Sequence, residues 1–421
     1  MFLRNQQIYL AGQEKKSLVR KLMNLLVLIL NRGRGSGEYV RQTYKRLVAY
    51  GYNITIASTQ QVEIEGCKSL VVPLERIPVH EYLPGVPNQK PVYAMNAAEV
   101  QIIVHEFLTI LRPLMSQFDI IHAHHANVTA IIGQLLAQEF GIPIVNTVHG
   151  TGLERLEKFD PAVRAEIKNS LAATDQIIVT SNFMKQMLTS KLPAYPTDRI
   201  NVIPCGVDTT KYNPQAHKTM RDVFSPDEVK NYNLKEPYVL YVGAMIEAKG
   251  PQDLVRALDS YQSHIQTIFI SGGPLVERIA NEVEVNKLNA KVLGFVSEEQ
   301  KEVLFNNAYL TIFPILKDEH FGIVFIESFA SGVPCITYTG GSAEEIVTSG
   351  VGKIVPKGNI DKLGATIAHL AQDEEQRDAM AKQARIKAIT LYDYDTKIIP
   401  RFNELFRDLV GLENPKTAFS S

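Results

Sequence analysis

Glu319 and Glu327 stand eight residues apart, separated by the largely apolar run His320-Phe321-Gly322-Ile323-Val324-Phe325-Ile326. Carboxylates accept hydrogen bonds from hydroxyls and ammonium groups, so such a pair can grip a polyhydroxyl ligand or neutralise cations. Glu319 follows a strand-like segment over 309–314 and a short polar loop. That predicts a place at the carboxyl edge of a parallel sheet, where ligands of α/β proteins bind. Gly322 is expected to open a helix that is apolar on nearly every side (Ile323, Val324, Phe325, Ile326, Phe329, Ala330) and therefore buried. Leaving Glu327 unpaired in that helix would cost several kcal/mol, on the order of the penalty for any buried polar group. It needs a partner, either a Lys or Arg from elsewhere or the hydroxyls of a ribose.

A second group of residues suits phosphate. The apolar strand over 238–242 ends at Gly243, and Lys249-Gly250 follows before a helix that begins near Gln252. A strand, a tight loop carrying a lysine and a helix amino end together offer N–H groups, a helix dipole and an ammonium to an anion. Ser271-Gly272-Gly273-Pro274, Gly294-Phe295-Val296 and Gly340-Gly341 each follow a strand-like run in the same way. His149 ends an apolar strand over 142–148 and precedes Gly150-Thr151-Gly152, a loop that lets backbone approach a ligand closely. It reads either as a ligand contact or as a satisfied histidine at a strand end.

The elements that must position these groups alternate along the chain. Strands are expected over 25–30, 54–57, 120–122, 142–147, 176–180 and 200–203, with helices over 38–49, up to about 115, and over 129–139, 161–172 and 182–192. Such alternation means a parallel sheet covered on both faces. The charged, proline-punctuated stretch 213–236 is a surface connection, and a second unit runs from Tyr238 through strands over 268–271, 292–293, 309–313 and 334–337 and a helix over 361–372. At 421 residues the chain is long enough for two domains. The expected division is an extension over 1–22, a first domain over 23–212, a second over 213–395, and a terminal amphipathic helix and tail over 396–421.

Composition narrows the function. With 45% hydrophobic and 21% charged residues the chain is globular, and a net charge of −1 argues against a nucleic-acid partner. Residues 1–50 nevertheless hold ten Lys or Arg against two Glu. On the helix over 38–49, Arg41, Gln42 and Lys45 face outward, either as a solvated face or as a peripheral contact with an anionic acceptor or acidic membrane. Three cysteines, Cys67, Cys205 and Cys335, form no disulfide or zinc pattern and fit a reducing cytoplasm. The longest apolar run, 25–30, is too short to span a bilayer and lacks the flanks of a signal peptide. Gly33-Arg34-Gly35 opens like a dinucleotide fingerprint but has Glu38 at the third glycine position. Asp393-Tyr394-Asp395 is read as a helix boundary, and His122, His124 and His125 as strand-end histidines, so no metal site and no cofactor are expected.

From about Met23 onward, this set in this order resembles the family-4 retaining glycosyltransferases of the GT-B fold. The resemblance is carried by Gly35-Ser36-Gly37, Asp119-Ile120-Ile121-His122-Ala123-His124, Thr147-Val148-His149, Ile203-Pro204-Cys205-Gly206-Val207-Asp208, the paired glutamates, and 321–334 closing on Ser331-Gly332-Val333-Pro334. It implies two Rossmann-like domains facing across a cleft, the terminal helix crossing back to the first. It also implies transfer of a sugar from a nucleotide sugar, which is a substrate, to an acceptor hydroxyl that the sequence does not identify. Configuration would be retained through front-face attack, the departing phosphate taking the acceptor proton. Glu319, Lys249 and His149 would be the catalytic residues. Gly35, Ser36, Gly37, Gly243, Phe321, Gly322, Ile323 and Glu327 would bind the donor, Glu327 at the ribose. Three positions depart from the family pattern: Ala244 replaces an Arg, His320 stands where a small residue or Pro is usual, and Cys205 where Asn is common. Arg32 and Arg34 are the candidates to replace the lost guanidinium. The rival readings are an epimerase or phosphorylase of the same fold and a non-catalytic regulatory subunit.

Overall fold

The computed structural model describes residues 22–31, 35–74, 90–216 and 218–412. Two parallel sheets organise them. The first has seven strands, β1 (Met23–Leu28), β2 (Tyr52–Ser58), β3 (Cys67–Val71), β4 (Ile120–His124), β5 (Ile144–Thr147), β6 (Gln176–Val179) and β7 (Ile200–Val202), in the order β3-β2-β1-β4-β5-β6-β7. The second has six, β8 (Tyr238–Val242), β9 (Gln266–Ile270), β10 (Ala290–Gly294), β11 (Leu310–Phe313), β12 (Cys335–Tyr338) and β13 (Gly352–Val355), in the order β10-β9-β8-β11-β12-β13. In both, the order reverses beside the first strand of the unit, which creates the crevice where doubly wound folds bind ligands. The central strands read as continuous apolar runs, MNLLVL in β1 and YVLYV in β8, because helices cover both sheet faces.

Several expectations need correction. The edge strand β3 and the short strand β13 were not foreseen. β3 is half-exposed and has no alternating pattern, and β13 begins with a glycine. The helix expected to end near Met115 is confined to Ala97–Leu111 with a tighter turn to Gln117, its start set by an Asn96–Glu99 capping box. Gly35-Ser36-Gly37 is the first turn of the helix Gly35–Ala49, and Gly150-Thr151-Gly152 begins the helix Gly150–Glu154, so neither is a loop. The connection over 213–236 holds two short helices, Met220–Val223 and Pro226–Tyr232.

Buried side chains form one cluster on the outer face of each sheet and a third that runs through both domains. The chain's return to the first domain lies in that third cluster. Arg385 donates to the carbonyls of Thr209 and Tyr212, the backbone of Val207 pairs with Tyr392 and Tyr394, and the helix Ile399–Leu409 sets Phe402 and Phe406 edge-on to Tyr39, Tyr52 and His122. Asp393 caps this final segment, accepting from Thr396 N at 2.9 Å and Thr209 Oγ1 at 2.6 Å. On the helix Gly35–Ala49 the cations are paired: Arg41 with Glu38, Lys45 with Glu65, and Arg46 with Asp208 and Asp395. Arg41 and Lys45 are exposed, whereas Arg46 is largely buried. Residues 1–21, the tail beyond 412, Arg32 and Arg34 lie outside the described residues. Among those described, no helix is long and apolar enough to cross a membrane.

Candidate functional site

The carboxyl edge of the second sheet holds Lys249 and Glu319. Gly250, at φ +69°, turns the chain after Lys249 so tightly that a Cβ would lie 1.9 Å from the Pro314 carbonyl oxygen. Glu319 is fixed through its own backbone: its carbonyl accepts from Ser342 N at 2.7 Å and Ser342 Oγ at 3.0 Å, with Gly341 packed so closely that only a glycine fits. These two clamps bring Lys249 Nζ to 2.5 Å from Glu319 Oε2, while His320 N donates to Oε1 at 3.0 Å. Burial, the largest influence, would raise the Glu319 carboxyl, but Lys249 and the His320 N–H outweigh it and hold it below the usual carboxylate range.

Gly322, at φ +80°, caps the helix Ile323–Ala330, which carries Glu327 inward to near-complete burial. Glu327 Oε1 accepts from Lys301 Nζ at 2.7 Å and Tyr212 Oη at 3.0 Å. The ion-pair alternative therefore holds for one oxygen. Among the described residues, its other oxygen, Oε2, is buried with no hydrogen-bond partner. Burial pushes this carboxyl above its usual range in spite of Lys301, the reverse of Glu319. On the first domain, Gly35, Ser36 and Gly37 form the first turn of the helix Gly35–Ala49, with Glu38 directly after them.

From the first sheet come β4, β5 and the helix Gly150–Glu154, for which His149 is the N-cap. Gly150 meets the second domain here. A Cβ on it would sit 2.0 Å from the His320 ring, so glycine is required for contact, not for backbone conformation. Ser181 Oγ donates to the His320 carbonyl at 2.7 Å, and Glu154 lies 3.7 Å from both Lys317 Nζ and His320 Nε2. Thus Gly150, directly after His149, meets the segment Glu319-His320-Phe321-Gly322, and Lys249 pairs with Glu319 from within the second domain. Glu327 occupies a separate buried position farther along its helix. Gly243 is half-buried beside Tyr241, and the Ala244 carbonyl accepts from Tyr241 Oη at 3.3 Å and Ile246 N at 2.8 Å.

The strand-end histidines His122, His124 and His125 form one connected cluster with His149. His122 and His124 are fully buried, and the His124 and His149 rings stack with centroids 5.3 Å apart. Burial lowers all four imidazoles, His122 to about 3 and His125 to about 4. Among the described residues, no group of three or more His, Cys, Asp or Glu is arranged to hold a metal. Sequence reasoning missed Lys301, Tyr212, Tyr44 and the contact of Glu345 with Asn182 N, about 3 Å across the domains. Nothing in their local spacing marks them. His320 was visible only as an unusual residue.

The family model described as glycosyl transferases group 1 matches residues 225–387, and that described as glycosyltransferase family 4 matches residues 33–211. An uncharacterized glycosyltransferase of Methanocaldococcus jannaschii is 26% identical over 63% of this chain and 69% of its own length. N-acetyl-alpha-D-glucosaminyl L-malate synthase of Bacillus anthracis is 24% identical over 69% of this chain and 75% of its own. Sucrose-phosphate synthase from Thermosynechococcus elongatus has a similar structure, with a TM-score of 0.73 at 20% identity over 92% of this chain and 99% of that one. HepE from Anabaena, in complex with UDP and glucose, gives 0.71 at 16% identity over 92% and 100%. The solved neighbours share the GT-B fold, and with one family model on each sheet domain the chain belongs to the group 1 and family 4 glycosyltransferases.

Proposed function

We propose that this enzyme transfers a sugar from a nucleotide diphosphate sugar to an acceptor hydroxyl, with retention of anomeric configuration and without a metal ion. The observation that carries this reading is the Lys249–Glu319 pair, 2.5 Å apart, set beside the amino end of the helix Ile323–Ala330 and across from His149-Gly150. Breaking a glycosidic bond to a diphosphate develops negative charge on the leaving group and oxocarbenium character on the sugar. Lys249 and the N–H groups of Phe321, Gly322 and Ile323 are suited to the first, and Gly243 lets the diphosphate approach the backbone. From the first domain, the helix end at Gly35, Ser36 and Gly37 contributes in the same sense. Glu319 and His149 hold sugar hydroxyls near the reacting carbon. The unpartnered Oε2 of Glu327 is the acceptor for a ribose hydroxyl.

A screen of nucleotide sugars for protection against thermal unfolding, followed by turnover with candidate acceptors, tests the reading. The expected product is an α-glycoside from an α-linked donor, read from the anomeric proton coupling, with activity unchanged by EDTA. An inverted product or complete loss in EDTA would overturn it. Turnover only with inorganic phosphate as acceptor would make the protein a phosphorylase, and binding without any turnover a regulatory subunit.

A further inference from the structure

Five side chains at the first sheet's edge form one hydrogen-bonded chain. His149 Nε2 lies 3.0 Å from His124 Nδ1, His124 Nε2 lies 2.5 Å from Tyr44 Oη, Tyr44 Oη lies 2.8 Å from His122 Nδ1, and His122 Nε2 lies 2.7 Å from Thr147 Oγ1. Burial keeps the imidazoles neutral, so each carries one N–H and one bare nitrogen. Tyr44 has one O–H and two imidazole neighbours. It donates to one and accepts from the other, and every link then follows. If Tyr44 donates to His124, His122 donates to Tyr44 and takes a hydrogen from Thr147, while His124 donates to His149 Nε2. The hydrogen of His149 then sits on Nδ1. If Tyr44 donates to His122, every bond reverses and His149 carries its hydrogen on Nε2.

Thr147 selects between the two orders. It is fully buried, and among the described residues its hydroxyl is hydrogen-bonded to His122 Nε2. In the first order Thr147 gives its hydrogen to His122. The reverse order makes Thr147 the acceptor and strands its buried hydroxyl hydrogen, which is unfavourable. We propose that Tyr44 is a positioning residue that, through His124, holds His149 as its Nδ1–H tautomer, with a donor facing the sugar. The sugar contact rests on the function proposed above; the tautomer does not.

Nitrogen-15 labelling of histidine and a long-range proton–nitrogen correlation spectrum read the tautomer directly, with His149 assigned from the His149→Gln spectrum. The wild type is expected to show His149 with its hydrogen on Nδ1 alone. Tyr44→Phe should give a mixture of tautomers and lower kcat about tenfold while the KM for donor stays within about twofold, the signature of a misoriented group and not of lost binding. Thr147→Val cuts the chain at its far end and should mix the tautomers in the same way, which keeps the test decisive if Tyr44→Phe does not fold. A wild-type His149 protonated on Nε2, or an unchanged tautomer in the folded variant, overturns the proposal. Failure to turn over any nucleotide sugar would count against the proposed function while leaving the spectrum to decide the tautomer.

Discussion

The two sheet edges that meet at His320 carry opposite kinds of polar chemistry. On the first, His122, His124, His149, Tyr44 and Thr147 are uncharged and hydrogen-bonded to one another. On the second, Lys249 pairs with Glu319, Lys301 with Glu327 and Lys357 with Asp318. Neutral dipoles can be buried at small cost once bonded, whereas buried ions require partners in good geometry. The division suits the function proposed above, with the neutral edge toward the sugar ring and the charged edge serving the diphosphate through Lys249 and the sugar hydroxyls through Glu319. It also means that the two edges should fail under different conditions.

Acid separates them most strongly. The four imidazoles titrate below 6.5 in the folded protein and near 6.5 when unfolded, so between about pH 6.5 and 4 the unfolded chain binds more protons. Their contribution is complete above that window and is lost as pH falls through it. Each costs about 1.4 kcal/mol per pH unit, so the step from pH 6 to 5 should remove up to roughly 5 kcal/mol. Glu319, held below 4.5, keeps its full contribution down to about pH 4.5, and Glu327, raised above 4.5, shifts the other way. Urea unfolding at pH 7.5 and 5.0, with hydrogen exchange to locate the loss, should show the first domain opening first. Equal stability at the two values would mean that the histidines are not buried together.

Within the charged edge, the deepest pair should give the next largest effect. Glu327→Leu leaves Lys301 with a buried, unmatched charge, and Lys301→Met does the same to Glu327, each at a cost of about 3 kcal/mol. Replacing both removes the mismatch, so the double variant should lie closer to wild type than either single one. Additive losses in urea unfolding would show that the two charges do not depend on each other.

The same contrast explains what the sequence disclosed. Glu319, Lys249 and Gly322 were legible because a charge or glycine after an apolar strand leaves a local pattern, and β8 and the helix Pro161–Ala172 fell where the pattern put them. Glycine misled where its role was contact. Gly150 reads as a loop residue, yet it is helical and small because His320 packs on it. The partners of Glu327 lie 26 and 115 residues away. The histidine chain also depends on pairing, since Tyr44 comes from a helix 78 residues before His122. Long-range contacts of this kind leave no local spacing to read.

The shallower pair at this edge tests chemistry more than stability. Lys249→Ala and Glu319→Ala each remove a charge-assisted contact of roughly 1.5 to 3 kcal/mol, so turnover should fall at least about tenfold while the unfolding midpoint moves little. Wild-type turnover in both variants, measured at saturating donor, would move the reacting centre away from this edge.

Ala244 offers the smallest and most specific test, because it asks whether the charged edge is complete. The residue follows Gly243 at the end of β8 and is half-buried, with its backbone held by Tyr241 and Ile246. An Arg here would add a planar fork of donors suited to a diphosphate, where Lys249 offers a single ammonium. A partly solvated guanidinium gains less than a buried one, so Ala244→Arg should tighten donor binding by about 1 kcal/mol, roughly fivefold, with kcat nearly unchanged. Because the gain comes from an added cation, it should shrink as salt is raised. Donor titration at two ionic strengths reads both effects. Weaker binding at both would mean that the space beside Gly243 is needed by the ligand or by another group, and that this edge has been reshaped around the alanine and is not simply missing a charge.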